Sequence, residues 1–149
     1  MNYTKLQMYA RIAQEFAGAS TCARVQVGAV LLKNGRIIAS GWNGTASGKI
    51  HCKDWFANID LTVPEENEKH RIFSNDNELH AEQNIIGICA RNGISTDGTV
   101  LVSTTSPCSQ CAKLLITAGI KEVYYIEEYD RDKNGIKLLL DNNIKVKQI

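Results

Sequence analysis

The chain has 149 residues, a formal net charge of +1 and five cysteines. That length suits one domain with a real core and is too short for two. The near-balance of charge excludes the basic field that holds a nucleic-acid backbone, and no apolar run is long enough to cross a bilayer. The opening residues read as an amphipathic helix and not as a secretory signal. With an odd number of cysteines, this fits metal ligation in the reducing cytoplasm better than a disulfide framework.

Apolar residues recurring at three and four from Leu6 through Tyr9, Ala13 and Phe16 predict a first helix that ends near Gly18. Gln26 to Lys33 and Arg36 to Trp42 are β-rich runs separated by Asn34-Gly35, a strong hairpin signal. Gly41 to Gly48 is a glycine-rich segment where backbone can approach a ligand closely. Ile50 to Leu79 carries polar clusters and Pro64 without clear periodicity, and is expected to be a long, mostly irregular insertion.

A helix is predicted from His80 to Arg91 with Ile85, Ile88 and Cys89 inward, stopped by Asn92-Gly93. Thr99 to Ser103 reads as a buried strand. Cys108 to Ala118 reads as a helix with Leu114, Leu115 and Ala118 on its core side. Then come a strand at Val123 to Glu127, a helix at Lys133 to Asp141 and a strand at Ile144 to Lys147. The order β-β-α-β-α-β-α-β after an initial helix predicts an α/β layered fold, a five-stranded mixed sheet flanked by helices.

The chemistry concentrates in His80-Ala81-Glu82 and Pro107-Cys108-Ser109-Gln110-Cys111. One imidazole and two thiolates fill three corners of a zinc tetrahedron and leave the fourth for water, as catalytic sites do. Glu82 is then a spare carboxylate able to move protons. Alone, the C-x-x-C could be a redox pair or half of a structural zinc ribbon. Jointly the two halves are the established H-x-E…P-C-x-x-C signature of zinc-dependent nucleobase deaminases. Each half precedes a helical pattern, so both fall at positive dipole ends that favour thiolate.

That signature fixes only a superfamily. The residues Gln26-Val27-Gly28-Ala29-Val30, Gly41-Trp42-Asn43-Gly44, the long insertion before His80, and Ala112-Lys113 through Ala118-Gly119-Ile120-Lys121 make the chain resemble the deoxycytidylate (dCMP) deaminases of the cytidine-deaminase-like fold. Trp42 stands where that family commonly has Tyr. The resemblance implies hydrolysis of dCMP to dUMP and ammonia, supplying the thymidylate precursor. It makes His80, Cys108 and Cys111 the zinc ligands and Glu82 the proton shuttle. The Ala81 N–H would meet the pyrimidine carbonyl, Asn43 would hold sugar and base, and Arg24 and Tyr129 look suited to the 5′-phosphate. For Arg24 a solvated surface charge is the equal alternative.

The resemblance also implies a second, structural zinc on Cys22, Cys52, His70 and Glu78, pinning the insertion of about residues 49–79. His51 is an alternative to His70, or a nucleotide contact. Cys89 reads as an ordinary buried thiol. The family is typically hexameric, activated by dCTP with Mg²⁺ and inhibited by dTTP, which points to Gly44, Ser47 and Arg91 as effector or coupling residues. Arg91 reads equally well as a favourable charge at a helix C-terminus. The competing functions are another deaminase of the superfamily, acting on cytidine or on adenosine in tRNA, and a non-catalytic zinc-held binding module.

Overall fold

A computed structural model describes residues 1–149. The first helix, α1 (Tyr3–Ala17), starts on an Asn2 side chain that accepts from the Lys5 amide, the N-cap chemistry that satisfies an otherwise unpaired donor. Strands β1 (Gly28–Lys33) and β2 (Arg36–Trp42) form the expected hairpin. Its turn residues Asn34 and Gly35 both have positive φ, 51° and 71°, as a two-residue type I′ turn requires.

The short strand β3 (Gly44–Thr45), helices α2 (Cys52–Trp55) and α3 (Pro64–Asn77), and the short strand β4 (Glu78–Leu79) follow. The chain closes with α4 (Ala81–Asn92), β5 (Val100–Thr105), α5 (Ser109–Thr117), β6 (Glu122–Glu127), α6 (Asn134–Asp141) and β7 (Lys145–Gln148). The five-stranded sheet runs β2-β1-β5-β6-β7, antiparallel across β2, β1 and β5 and parallel across β5, β6 and β7. The expected mixed α/β sheet is therefore present.

Alternation along the strands makes three layers. Val30, Leu32, Val102 and Tyr124 meet Leu6, Tyr9 and Ala10 of α1 on one face. Ala29, Leu31, Leu101 and Val123 meet Ile85 of α4, Leu115 of α5 and Leu139 of α6 on the other. Each of these large side chains, once fully buried, stabilises by about 1.5–3 kcal/mol.

The segment expected to be mostly irregular is largely helical. Only His70 is buried on α3, so the helix is anchored by one polar residue and has no apolar stripe to betray its period. The overlooked signal was Pro64 at its first turn with Glu65 and Glu66 beside it, the favoured start of a helix. Ile88 is 40 % exposed, contrary to expectation. The inward stripe of α4 is Ala81, Glu82, Ile85 and Cys89, and residue 88 falls on its flank. Leu114 is only half-buried, while Leu115 is fully buried and Ala118 packs at the edge of the core. The two-stranded β3–β4 ladder, pairing Gly44 with Leu79 and Thr45 with Glu78, was too short to leave a sequence pattern.

Candidate active site

His80 and Cys108 are the N-cap residues of α4 and α5. The Gln83 side chain accepts from the His80 amide at 2.7 Å, locking the turn that aims the imidazole. Cys108 Sγ accepts from the Cys111 amide at 3.4 Å. His80 Nδ1 lies 3.5 Å from Cys108 Sγ and 3.4 Å from Cys111 Sγ. Ligands about 2.1 Å (N) and 2.3 Å (S) from a tetrahedral zinc would sit roughly 3.6 Å apart, so the three residues fit that ion and leave one corner open.

The hydrogen bond from Cys111 pulls the Cys108 thiol down to about 4, with His80 adding to the effect. That same bond and burial push Cys111 up, and contact with Cys108 raises His80 to about 9. The shift of Cys108 favours the thiolate, the form that binds a metal. Glu82, one turn-residue beyond Ala81, is buried, and burial raises its carboxyl above the usual range. A buried carboxyl beside the donors, with its proton affinity raised, is placed to take and return a proton.

A cleft is lined by residues from several elements, among them Asn43, Ala81, Glu82, Arg24 and Tyr129. The sequence-predicted catalytic and substrate residues therefore converge. Tyr129 stands edge-on to His80, ring centroids 6.5 Å apart, and its amide donates to Ser106 Oγ. Ala81, the first residue of α4, carries an N–H without an intrahelical partner. Asn43 is buried and mostly committed to the protein. Its Oδ1 accepts from Ser20 Oγ at 2.6 Å and the Val27 amide at 2.8 Å, and its Nδ2 donates to the Val25 carbonyl. Arg24 is ion-paired with Asp130 and only 15 % exposed at the side chain, so it is not a freely solvated charge.

The second group of donors also assembles. Cys22, Cys52, His70 and Glu78 are all buried, and their ligand atoms lie within 4.8 Å of one another. His70 Nε2 is 3.6 Å from Cys22 Sγ and 3.3 Å from Cys52 Sγ. Glu78 Oε1 is buried with no hydrogen-bond partner, which costs on the order of 1–3 kcal/mol or more unless something satisfies it. Two sulfurs, an imidazole and an orphaned carboxylate oxygen suit a closed zinc tetrahedron. As in the first cluster, the two thiols are shifted in opposite directions: the Cys52 hydrogen bond draws Cys22 down to about 3, and the same contact and burial push Cys52 up. His51 is exposed and caps α2, outside this group. Cys89 is buried, and burial raises its thiol.

The effector candidates Gly44, Ser47 and Arg91 do not line the cleft. A Cβ at Gly44 would come 2.3 Å from Thr21 Oγ1, and the threonine side chain would have to turn aside to admit it. Ser47 lies exposed in a turn and Arg91 exposed in the last turn of α4. Sequence reasoning missed Arg131, which lines the cleft from the β6–α6 loop. It belongs to the charged run 127–133, which offers no periodicity to single out one member.

The cytidine and deoxycytidylate deaminase zinc-binding region matches residues 3–127. The chain is 36% identical to the deoxycytidylate deaminase of Enterobacteria phage T4, over 93% of this chain and 84% of that one. It is also 36% identical to ComE operon protein 2 of Bacillus subtilis, over 87% of this chain and 63% of that protein. Among solved structures, the dCMP deaminase of cyanophage S-TIM5 in complex with dCMP and dUMP superposes with a TM-score of 0.81 at 36% identity, covering 100% of this chain and 99% of that one.

Proposed function

The chain belongs to the cytidine and deoxycytidylate deaminase family, and from that premise we propose that it hydrolyses dCMP to dUMP and ammonia. The observation that carries this reading is the buried Glu82 carboxyl one residue past Ala81 and beside the His80, Cys108 and Cys111 donors. The name of the phage T4 relative and the nucleotides in the cyanophage complex support the choice of substrate.

Zinc held by His80, Cys108 and Cys111 would supply a water that ionises near neutral pH. The remaining work falls to side chains. Replacing the exocyclic amine at C4 by oxygen requires protons on the ring N3 and then on the departing amine. Glu82 carries the first proton of water to N3 and the second, from the hydroxyl added at C4, to the departing amine, which leaves as ammonia. The free N–H of Ala81 orients the pyrimidine carbonyl. Asn43, rigid through its three bonds, offers its remaining Nδ2 hydrogen to the nucleoside. Tyr129 walls the cleft between the metal donors and the cationic end, where the phosphate goes.

Cys22, Cys52, His70 and Glu78 hold a second, structural zinc in this reading; the orphaned Glu78 oxygen supports it. It fastens the insertion, residues 49–79, to the segment after α1 and to the strand before His80. Regulation follows the family resemblance: activation by dCTP with Mg²⁺, inhibition by dTTP, in a cytoplasmic homohexamer. The Gly44–Thr45 strand pairs with Glu78–Leu79 immediately before His80. The loop bearing Gly44 and Ser47 is therefore mechanically joined to the metal donors, which supports an effector role for it, with Arg91 at the far end of α4.

Ammonia release from cytidine, deoxycytidine, CMP and dCMP, with and without dCTP·Mg²⁺ and dTTP, tests the reading. A clear preference for dCMP, raised by dCTP and lowered by dTTP, is expected. Turnover of cytidine in preference to dCMP would overturn the substrate, and dCMP turnover indifferent to both effectors would overturn the regulation.

A further inference from the structure

Residues 20–27, between α1 and β1, form no helix or strand, yet Cys22, Arg24, Val25 and Val27 of this segment line the cleft. With no ladder or helical turn to satisfy its backbone, its shape is set by individual hydrogen bonds. Asn43, in the break between β2 and β3, supplies two of them. Its Oδ1 accepts from the Val27 amide and its Nδ2 donates to the Val25 carbonyl, each at 2.8 Å. A backbone N–H only donates and a carbonyl only accepts, so these partners allow the amide one orientation and exclude the flipped form. Ser20 stands behind it, 2 % exposed and away from the cleft, with its hydroxyl 2.6 Å from Asn43 Oδ1.

Facing an oxygen that only accepts, the Ser20 hydroxyl has to donate its proton to it. The serine oxygen in turn accepts from the Cys22 amide at 3.2 Å. The three groups form a buried relay of fixed direction, from the Cys22 N–H through the Ser20 O–H to Asn43 Oδ1. We propose that Ser20 is a positioning residue for the substrate and that it acts through Asn43. The inference rests on the reading of Asn43 as the nucleoside contact. A second donor on Oδ1 holds the side chain against rotation, which keeps the remaining Nδ2 hydrogen turned to the cleft. Hydrogen bonds in a chain also polarise one another, so the same relay makes that hydrogen a better donor to the nucleoside.

The far end of the relay is anchored. The Cys22 carbonyl accepts from Gln26 Nε2 at 2.8 Å, the Ala23 amide donates to Cys52 Sγ at 3.3 Å, and the Lys53 amide donates to the Thr21 carbonyl at 2.9 Å. The insertion thus grips residues 21–23 through α2, and Ser20 passes that rigidity on to Asn43. Between an amide that donates and an oxygen that accepts, the place calls for one atom able to do both, which a hydroxyl is. Alanine there would leave two buried polar groups each short of a partner.

The test compares Ser20→Ala, Asn43→Ala, the double variant and Thr104→Val in the zinc-loaded protein. Thr104 Oγ1 accepts from the Gly28 amide at 3.1 Å, so Thr104→Val removes a similar hydroxyl just past the same segment without reaching Asn43. Steady-state kinetics with dCMP and deoxycytidine are paired with calorimetric binding of dUMP and with zinc per chain. Ser20→Ala should raise KM for both substrates by the same factor, about 3- to 10-fold, and weaken dUMP binding equally, the scale of one net hydrogen bond. Its kcat should stay within about threefold of the parent, the mark of binding lost equally in ground and transition states, and its zinc content should not change. In the Asn43→Ala background, Ser20→Ala should cost less than about twofold more, because the side chain it acts through is gone. Thr104→Val should keep dUMP affinity within about twofold of the parent.

A dCMP KM and dUMP affinity within about twofold of wild type for Ser20→Ala would overturn the proposal. So would a loss seen with dCMP and spared with deoxycytidine, an undiminished loss in the Asn43→Ala background, or an equal loss for Thr104→Val. Should the Asn43 variants fail to fold, Ser20→Ala against Thr104→Val decides alone. Asn43→Ala binding dUMP as tightly as wild type would reject the reading of Asn43 on which the inference stands. Failure of the wild-type protein to turn over dCMP while deaminating another substrate would instead reject the substrate assignment, and KM for that substrate then carries the same comparison.

Discussion

Replacing Gly135 by alanine should damage the metal donors without touching them. A Cβ at this position of α6 would lie 2.0 Å from the Pro107 carbonyl oxygen and 2.8 Å from the Cys108 carbonyl carbon and oxygen. All three are backbone atoms, with no flexible side chain to swing aside. Relief to an ordinary contact requires α6 and the Pro107–Cys108 segment to separate by about 1 Å, and overpacking of this kind costs roughly 1–3 kcal/mol.

The displaced residue is a metal donor and the N-cap of α5, so the strain is felt where geometry is least forgiving. A misplacement on that scale can cost about 100-fold in rate. Thermal unfolding, zinc affinity and kcat measured together on Gly135→Ala, and on Gly87→Ala as control, give the answer. A Cβ at Gly87 meets nothing within 4 Å, and there the helix should gain up to about 1 kcal/mol. The reasoning is refuted if Gly135→Ala keeps wild-type kcat and zinc affinity, or if Gly87→Ala loses as much.

Two further outcomes follow from named contacts. Cys52→Ser should lower zinc from two per chain to one, leave the His80 cluster loaded and reduce the melting temperature; unchanged zinc content would sink the second site. Asp132 accepts from the Ser109 amide at 2.9 Å, from the Ser109 hydroxyl and from the Asn134 amide. These bonds, the Ser109 hydroxyl foremost, hold its carboxyl below the usual range. Its contribution is therefore fully present above the unfolded-state pKa near 3.9 and is lost as pH falls through the lower folded value. Urea melts of Asp132→Asn should show a deficit of about 1 kcal/mol at pH 6, shrinking below pH 4. A deficit that grows in acid would contradict the assignment.

How much could be read in advance depended on what kind of force fixes each part. The hairpin was legible because Asn34-Gly35 leaves the backbone few alternatives, and the central strands because burial between two helical layers makes them short continuous apolar runs. The His80, Cys108 and Cys111 cluster was legible because a metal tolerates few residue types, and adjacent placement with a proline and a glutamate is rare by chance. The helix α3 was hidden, since one buried histidine and not an apolar stripe anchors it. Arg131 was hidden for a related reason: it stands in a charged run without periodicity, and only folding brings it to the cleft and sends Asp130 to Arg24. Asn43 does line the cleft, yet its three bonds to Ser20, Val27 and Val25 brace the backbone there, which its sequence neighbours did not announce.

The most direct test of the account is release of ammonia from dCMP by the wild-type protein and by Glu82→Gln, with zinc measured in both. The account predicts dUMP formation by the wild type and turnover reduced to background in Glu82→Gln at unchanged zinc content. Substantial deamination by Glu82→Gln, or none by a zinc-loaded wild type, would contradict it.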